Sequence, residues 1–163
     1  MQTVGEDITI HSNEDLTALT GLESLLSVGG SLIVTENTAL LDVDALTSLE
    51  GLGGDLYIYF NNSLEDLSGL SSLQILNGDL YVKWVPALVS MDGLEQLYWI
   101  DGSVFVRGNT GLEDLDALYG IDWVGGDFEF SYNTALTNSV ANALVDAIGE
   151  SNIAGEVTIY NNN

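Results

Sequence analysis

The chain repeats itself every 24 residues, and this period constrains its fold more tightly than any other property. With the residue that opens each short "DLxI"-like segment as position zero, the markers are Asp7, Ser31, Asp55, Asp79, Ser103 and Asp127. These are five steps of 24 without an insertion, followed by Glu156 after a step of 29. The next residue is always apolar (Ile8, Leu32, Leu56, Leu80, Val104, Phe128, Val157), and so is the one two places beyond it (Ile10, Val34, Ile58, Val82, Val106, Phe130, Ile159). Alternation with period two marks a short strand with one buried face. Asn follows in six of seven repeats, at Asn13, Asn37, Asn61, Asn109, Asn133 and Asn162. Apolar residues then recur at every third position, as in Leu64, Leu67, Leu70, Leu73 and Leu76, before a glycine such as Gly78 restarts the cycle. A spacing of three fits neither an α-helix nor a strand; it fits a coil that turns inward in short extended or 3₁₀ steps around a narrow core. One coil cannot bury its apolar edge alone, so the coils must stack.

The expected fold is therefore a mainly β solenoid forming a single domain over residues 1–163. It has six 24-residue coils from about 5–137, one parallel sheet built from the seven stacked strands, a capping helix at about 139–149 and a final strand at about 156–160. The helix is predicted in "TNSVANALVDAIGESN", where Val140, Leu144 and Ile148 share one face, Asn138 or Ser139 caps the start and Gly149 ends it. It is placed to cover the open apolar end of the solenoid and so to complete the domain there. The Asn column is predicted to be structural, hydrogen-bonding backbone groups of its own and the next coil where the chain bends.

At this level the cycle "GG-D-L-x-I-x-x-N-x-x-L-x-x-L-x-x-L-x-x-L" resembles the receptor L-domain type of leucine-rich solenoid. That family includes the ligand-binding lobes of insulin and epidermal growth factor receptors and many bacterial cell-surface proteins. The bacterial versions often close with a helix and a last "V-T-I-x-x-N" strand, to which "GEVTIYNNN" is similar. The resemblance covers about residues 5–163. It implies a right-handed coil, an extracellular or cell-surface location, and ligand binding or adhesion rather than catalysis. The chain has no cysteine, so a disulfide-capped end is not carried over.

Composition narrows the partners. Two Lys or Arg residues against 25 Asp or Glu give a net charge of −23, which argues against nucleic acid and anionic membrane surfaces. No apolar run is long enough to span a bilayer, so no membrane insertion is expected. No signal peptide is evident, and Met1 a few residues before the first repeat suits a mature or excised domain. The absence of cysteine and the single histidine speak against thiolate and multi-histidine metal sites, and no cofactor is expected. Acidic residues collect in the "LxxL" arc at Asp42, Asp44, Glu65, Asp66, Asp92, Glu113, Asp114 and Asp116. Without an EF-hand or "GGxGxD" pattern they read as a hydrated face rather than a Ca²⁺ site. No nucleophile stands in a recognisable motif, and no pair of carboxylates is singled out for glycoside chemistry, so no catalytic residue is assigned.

The candidate site comes from the outward-facing strand positions. One column reads Thr9, Ile33, Tyr57, Tyr81, Phe105, Glu129 and Thr158; the other reads His11, Thr35, Tyr59, Lys83, Arg107, Ser131 and Tyr160; the residue after it adds Phe60, Trp84 and Tyr132. The middle coils thus present Tyr57, Tyr59, Phe60, Tyr81, Lys83, Trp84, Phe105 and Arg107 on one face, including both Lys/Arg residues of the chain. A contiguous exposed aromatic surface marks an interaction site, here for a glycan stacked on Tyr and Trp or a protein ligand with an acidic or carboxylate-bearing epitope, with a homo-oligomeric contact through the same patch as the alternative. The bland alternative is that Lys83 and Arg107 pair with Asp79 or Glu129 or stack on neighbouring rings. In "KWVP" the Asn column is broken by Val85, and Pro86 is expected to fix the bend that positions Trp84. A second group, Tyr98, Trp99 and Trp123, is expected to wedge between coils rather than extend the patch.

Overall fold

A computed structural model describes residues 2–163. The strands are, in chain order, β1 (Gln2–Val4), β2 (Ile8–His11), β3 (Leu25–Val28), β4 (Leu32–Thr35), β5 (Gly51–Leu52), β6 (Leu56–Tyr59), β7 (Ile75–Leu76), β8 (Leu80–Lys83), β9 (Trp99–Ile100), β10 (Val104–Arg107), β11 (Trp123–Val124), β12 (Phe128–Ser131) and β13 (Val157–Tyr160). They form a β-solenoid. Seven strands stack in parallel in the order β2-β4-β6-β8-β10-β12-β13. The pairing holds the 24-residue register throughout, so that Leu56 lies beside Leu80, Leu80 beside Val104 and Val104 beside Phe128.

A second parallel sheet, β1-β3-β5-β7-β9-β11, runs along an adjoining wall and was not anticipated. Most of its strands are only two residues long, and their inward members Leu52, Leu76, Ile100 and Val124 also close the three-residue apolar pattern. A two-residue strand cannot display an alternation, which is why the pattern concealed it. The remaining wall is the "LxxL" arc, which turns through 3₁₀ segments at Asp44–Leu46, Ser68–Leu70 and Asp116–Leu118. Asp42, Asp66 and Asp114 each accept the N–H two residues on (Asp44, Ser68, Asp116), so part of the acidic arc initiates these turns.

Three side-chain columns tie the coils together. In the Asn column, each Oδ1 accepts the backbone N–H of the equivalent residue in the preceding coil, and each Nδ2 donates to a carbonyl of that coil. Asn61, for example, accepts from Asn37 at 3.1 Å and donates to Val34 at 2.8 Å. The bonds to backbone run to the preceding coil, while the Nδ2 groups of Asn37 and Asn133 also donate to the Asn Oδ1 of the next coil, at 3.4 and 3.2 Å. Asn13, in the first coil, is exposed and donates to its own coil at His11 and to Asn37 Oδ1 of the next. Position zero forms a second column: the side chains of Asp7, Ser31, Asp55, Asp79, Ser103 and Asp127 accept the position-zero N–H of the next coil at 2.6–3.0 Å. The third column is the glycine before position zero. A Cβ at Gly78 would collide with the Asp55 carboxylate and backbone, so close coil approach excludes any side chain there. In the first coil this place holds Glu6.

The helix α1 spans Asn138–Ile148 and buries Ala141, Leu144, Val145 and Ile148 against the core. Its N-cap is Thr137 rather than Asn138 or Ser139; the Thr137 hydroxyl accepts the Val140 N–H at 3.3 Å. Gly149 ends it at φ 85°. Beyond the helix, Ile159 of β13 is partly buried against the core while Val157 stays 37% exposed, so the helix packs on the last strand and covers it in part.

Candidate functional site

The outward face of the seven-stranded sheet brings all eight candidate residues together on β6, β8, β10 and the bends that follow β6 and β8. Pairing sets Tyr57 beside Tyr81 and Phe105 in one row, and Tyr59 beside Lys83 and Arg107 in the next. Tyr57 and Tyr81 stack at 4.4 Å with 4° between ring planes, and Tyr81 and Phe105 at 5.0 Å with 10°. The three rings form a ladder along the solenoid axis. Their faces are spent on one another and their edges point outward. This mutual cover leaves most of the patch half-buried; of the eight, only Phe60 is exposed, at 39%.

The bend after each strand imposes a left-handed backbone. Ser12, Glu36, Phe60, Trp84, Tyr132 and Asn161 all have φ between 52° and 58°, and Gly108 fills the same place in the fifth coil at φ 71°. Because Phe60 and Tyr132 take this conformation without a proline nearby, Pro86 is not what positions Trp84. Large L-residues are disfavoured there by about 1–2 kcal/mol each, yet three of the seven places are aromatic. Phe60 stacks on Trp84 at 5.3 Å, and Tyr59 meets both edge-on. The Trp84 indole leans over Gly108, where a Cβ would stand 2.8 Å from its Cδ1 and Nε1. Across that gap lies Tyr132, with the Arg107 guanidinium between them, 5.9 Å from the Trp84 ring centre and 4.9 Å from that of Tyr132. Tyr132 therefore extends the patch. Its shared column with Phe60 and Trp84 was the available signal, masked by the intervening Gly108.

The two cations differ. Arg107 reaches Glu129 at 3.7 Å, and Glu129 also accepts the Ser131 hydroxyl at 2.6 Å. Lys83 makes no ion pair among the described residues. Asp79, one partner named in the bland alternative, is occupied: one oxygen accepts the Ser103 N–H and the other the Tyr81 hydroxyl, each at 2.6 Å. Lys83 Nζ lies 4.5 Å from the Tyr81 ring centre and 4.7 Å from that of Phe105, so the Arg107–Glu129 pair and these ring contacts are both among the contacts that alternative named. Burial lowers the Lys83 pKa below the ordinary lysine value, opposed by the Glu129 and Asp79 charges and reinforced by Arg107. Burial, together with the Asp79 carboxylate, raises the Tyr81 phenol well above its usual range; the Tyr57 phenol is raised as well, chiefly by burial and by Asp55. A cleft of about 370 Å³ lined by Thr35, Tyr57, Tyr59, Tyr81 and Lys83 opens over this ground.

His11 stands apart, in the first coil, hydrogen-bonded to Thr35 and Ser12. Trp99 and Trp123 do not wedge between coils: they stack on each other at 5.8 Å on the outer face of the second sheet, with Trp99 39% and Tyr98 38% exposed. Ring-against-ring stacking satisfies their faces without insertion into an already filled core. Val85 is wholly buried, and its N–H still donates to Asn109 Oδ1 at 2.9 Å. It returns no side-chain bond, so the Asn61 N–H and the Ile58 carbonyl lack the partner that Asn37 and Val34 receive from Asn61.

Among the described residues no group of three or more His, Asp or Glu side chains could hold a metal ion, and no helix is long and apolar enough to cross a membrane. Compared with protein-family models, curated proteins and solved structures, the chain matches none.

Proposed function

We propose that this chain is a non-enzymatic recognition domain, a leucine-rich solenoid of the receptor L-domain kind displayed at a cell surface, which binds a protein ligand through the aromatic and cationic patch of its seven-stranded sheet. The observation that carries this reading is Lys83: a half-buried ammonium without an ion pair among the described residues, in a chain with 25 carboxylates, set among aromatic rings beside an open cleft. The surrounding residue types, Trp, Tyr and Arg, are those that dominate binding hot spots. A protein is favoured over a glycan because the central rings have turned their faces to one another, whereas sugar stacking needs an uncovered face. Self-association is opposed by a net charge of −23 on each copy.

The test is a parallel screen of the domain against a panel of extracellular proteins and a glycan array, repeated with Trp84→Ala. The expected outcome is a protein partner bound by the parent domain and lost in the variant, with both equally folded by circular dichroism. Signals that are identical for parent and variant would dismiss the patch as the binding surface. A concentration-dependent dimer abolished by Trp84→Ala would replace the reading with homotypic assembly.

A further inference from the structure

Lys83 has a more specific role within this reading, on which the following rests. A cation surrounded by acidic residues ordinarily finds one, as Arg107 does. Here the carboxylates whose charges act on Lys83 are engaged by other donors: Asp79 through both oxygens by the Ser103 N–H and the Tyr81 hydroxyl, Glu129 through Oε1 by Arg107 and Ser131. The ammonium is left with ring contacts to Tyr81 and Phe105. An aromatic ring is negative on its face and positive at its edge. The stacked ladder Tyr57–Tyr81–Phe105 hides its faces and shows its edges. Edge and ammonium therefore favour the same kind of guest, an anion.

Two further observations limit what carries that anion. The cleft over Lys83, about 370 Å³ and open to solvent, is at the small end of sites that enclose a whole ligand, so it suits one side chain of a larger partner. The net charge of −23 repels a polyanion at long range, so the group arrives on a segment without further negative charge. We propose that Lys83 seats a single Asp or Glu carboxylate of the protein partner, carried on an apolar segment that lies along the ring edges of Tyr57, Tyr81 and Phe105. Arg107, already engaged by Glu129, flanks this seat rather than forming it.

The experiment is a random 12-residue peptide library displayed on phage and selected on the parent domain, with each recovered peptide re-tested on Trp84→Ala, Lys83→Gln and Lys83→Arg. Peptides that need Trp84 are expected to share one acidic position among apolar ones. Their affinity should fall about tenfold or more on Lys83→Gln and be largely kept on Lys83→Arg. Neutralising the peptide's own Asp or Glu should cost the same factor, and the two losses should not add, as for two halves of one contact. Trp84-dependent peptides that bind Lys83→Gln unchanged would overturn the carboxylate seat while leaving the protein-binding patch standing. Recovery of no Trp84-dependent peptide would overturn both. Saturable binding of an oligogalacturonide that Lys83→Gln abolishes, with no peptide recovered, would move the carboxylate onto a glycan and overturn the protein partner.

Discussion

Trp84 concentrates the tension between fold and patch in one residue. Its backbone sits at φ 52°, where a residue with a Cβ is strained, and its indole spreads over Gly108 on the outside of the sheet. Trp84→Ala and Trp84→Gly remove the same ring contacts with Tyr59, Phe60 and Arg107. They differ in that only glycine accepts this φ without a steric penalty. Trp84→Gly should therefore be the more stable of the two by about 1 kcal/mol in urea unfolding. An alanine variant that is the more stable would mean that the bend relaxes out of the left-handed region. Strain retained at Phe60, Trp84 and Tyr132, where the fold alone is content with Ser12, Glu36 or Asn161, is an argument for function.

Among the elements, the Asn column bears the greatest structural consequence per residue. Asn61 is buried and bridges to Asn37 and Val34, while its neighbour Asn62 is exposed. Asn61→Ala should lower stability by about 1–3 kcal/mol more than Asn62→Ala, the cost of stranding buried backbone groups. The broken step at Val85 allows the reverse experiment. Val85→Asn places the missing amide beside the Asn61 N–H and the Ile58 carbonyl, and should raise stability by about 1 kcal/mol in the same assay. A loss instead would show that the Val85 methyls, wholly buried, contribute more to the core than the restored bonds.

At the scale of the whole molecule, 25 acidic groups surround a narrow apolar core with two Lys or Arg residues to balance them. Their mutual repulsion is greater in the compact state and is screened over about 3 Å at 1 M salt. Raising NaCl from about 0.05 to about 1 M should therefore raise the melting temperature, whereas a chelator should leave it unchanged, because the arc carboxylates bond to turn N–H groups. A melting temperature that falls on chelation would reveal a bound cation. The end coils depart from the repeat: Glu6 stands where every later coil has a glycine, and Glu156 where the earlier coils carry Asp or Ser.

The sequence by itself determined the coil, because period fixes where each residue falls on the path. Spacings of 24, two and three residues set the seven-strand register, the buried face and the Asn column, and placed Tyr57 through Arg107 on one wall. Tertiary structure decided everything that depends on a neighbour one coil away. It determined that the short stretches before each corner would pair into a second sheet, and that Trp99 and Trp123 would stack outside rather than wedge inside. It determined that the patch rings would show edges rather than faces, and that Glu129 would take Arg107 while Asp79 was drawn away from Lys83. The physical reason is one of order: a backbone period sets positions, whereas rotamers, stacking and ion pairing are settled by competition among side chains 24 residues apart, which meet only once the coils are stacked.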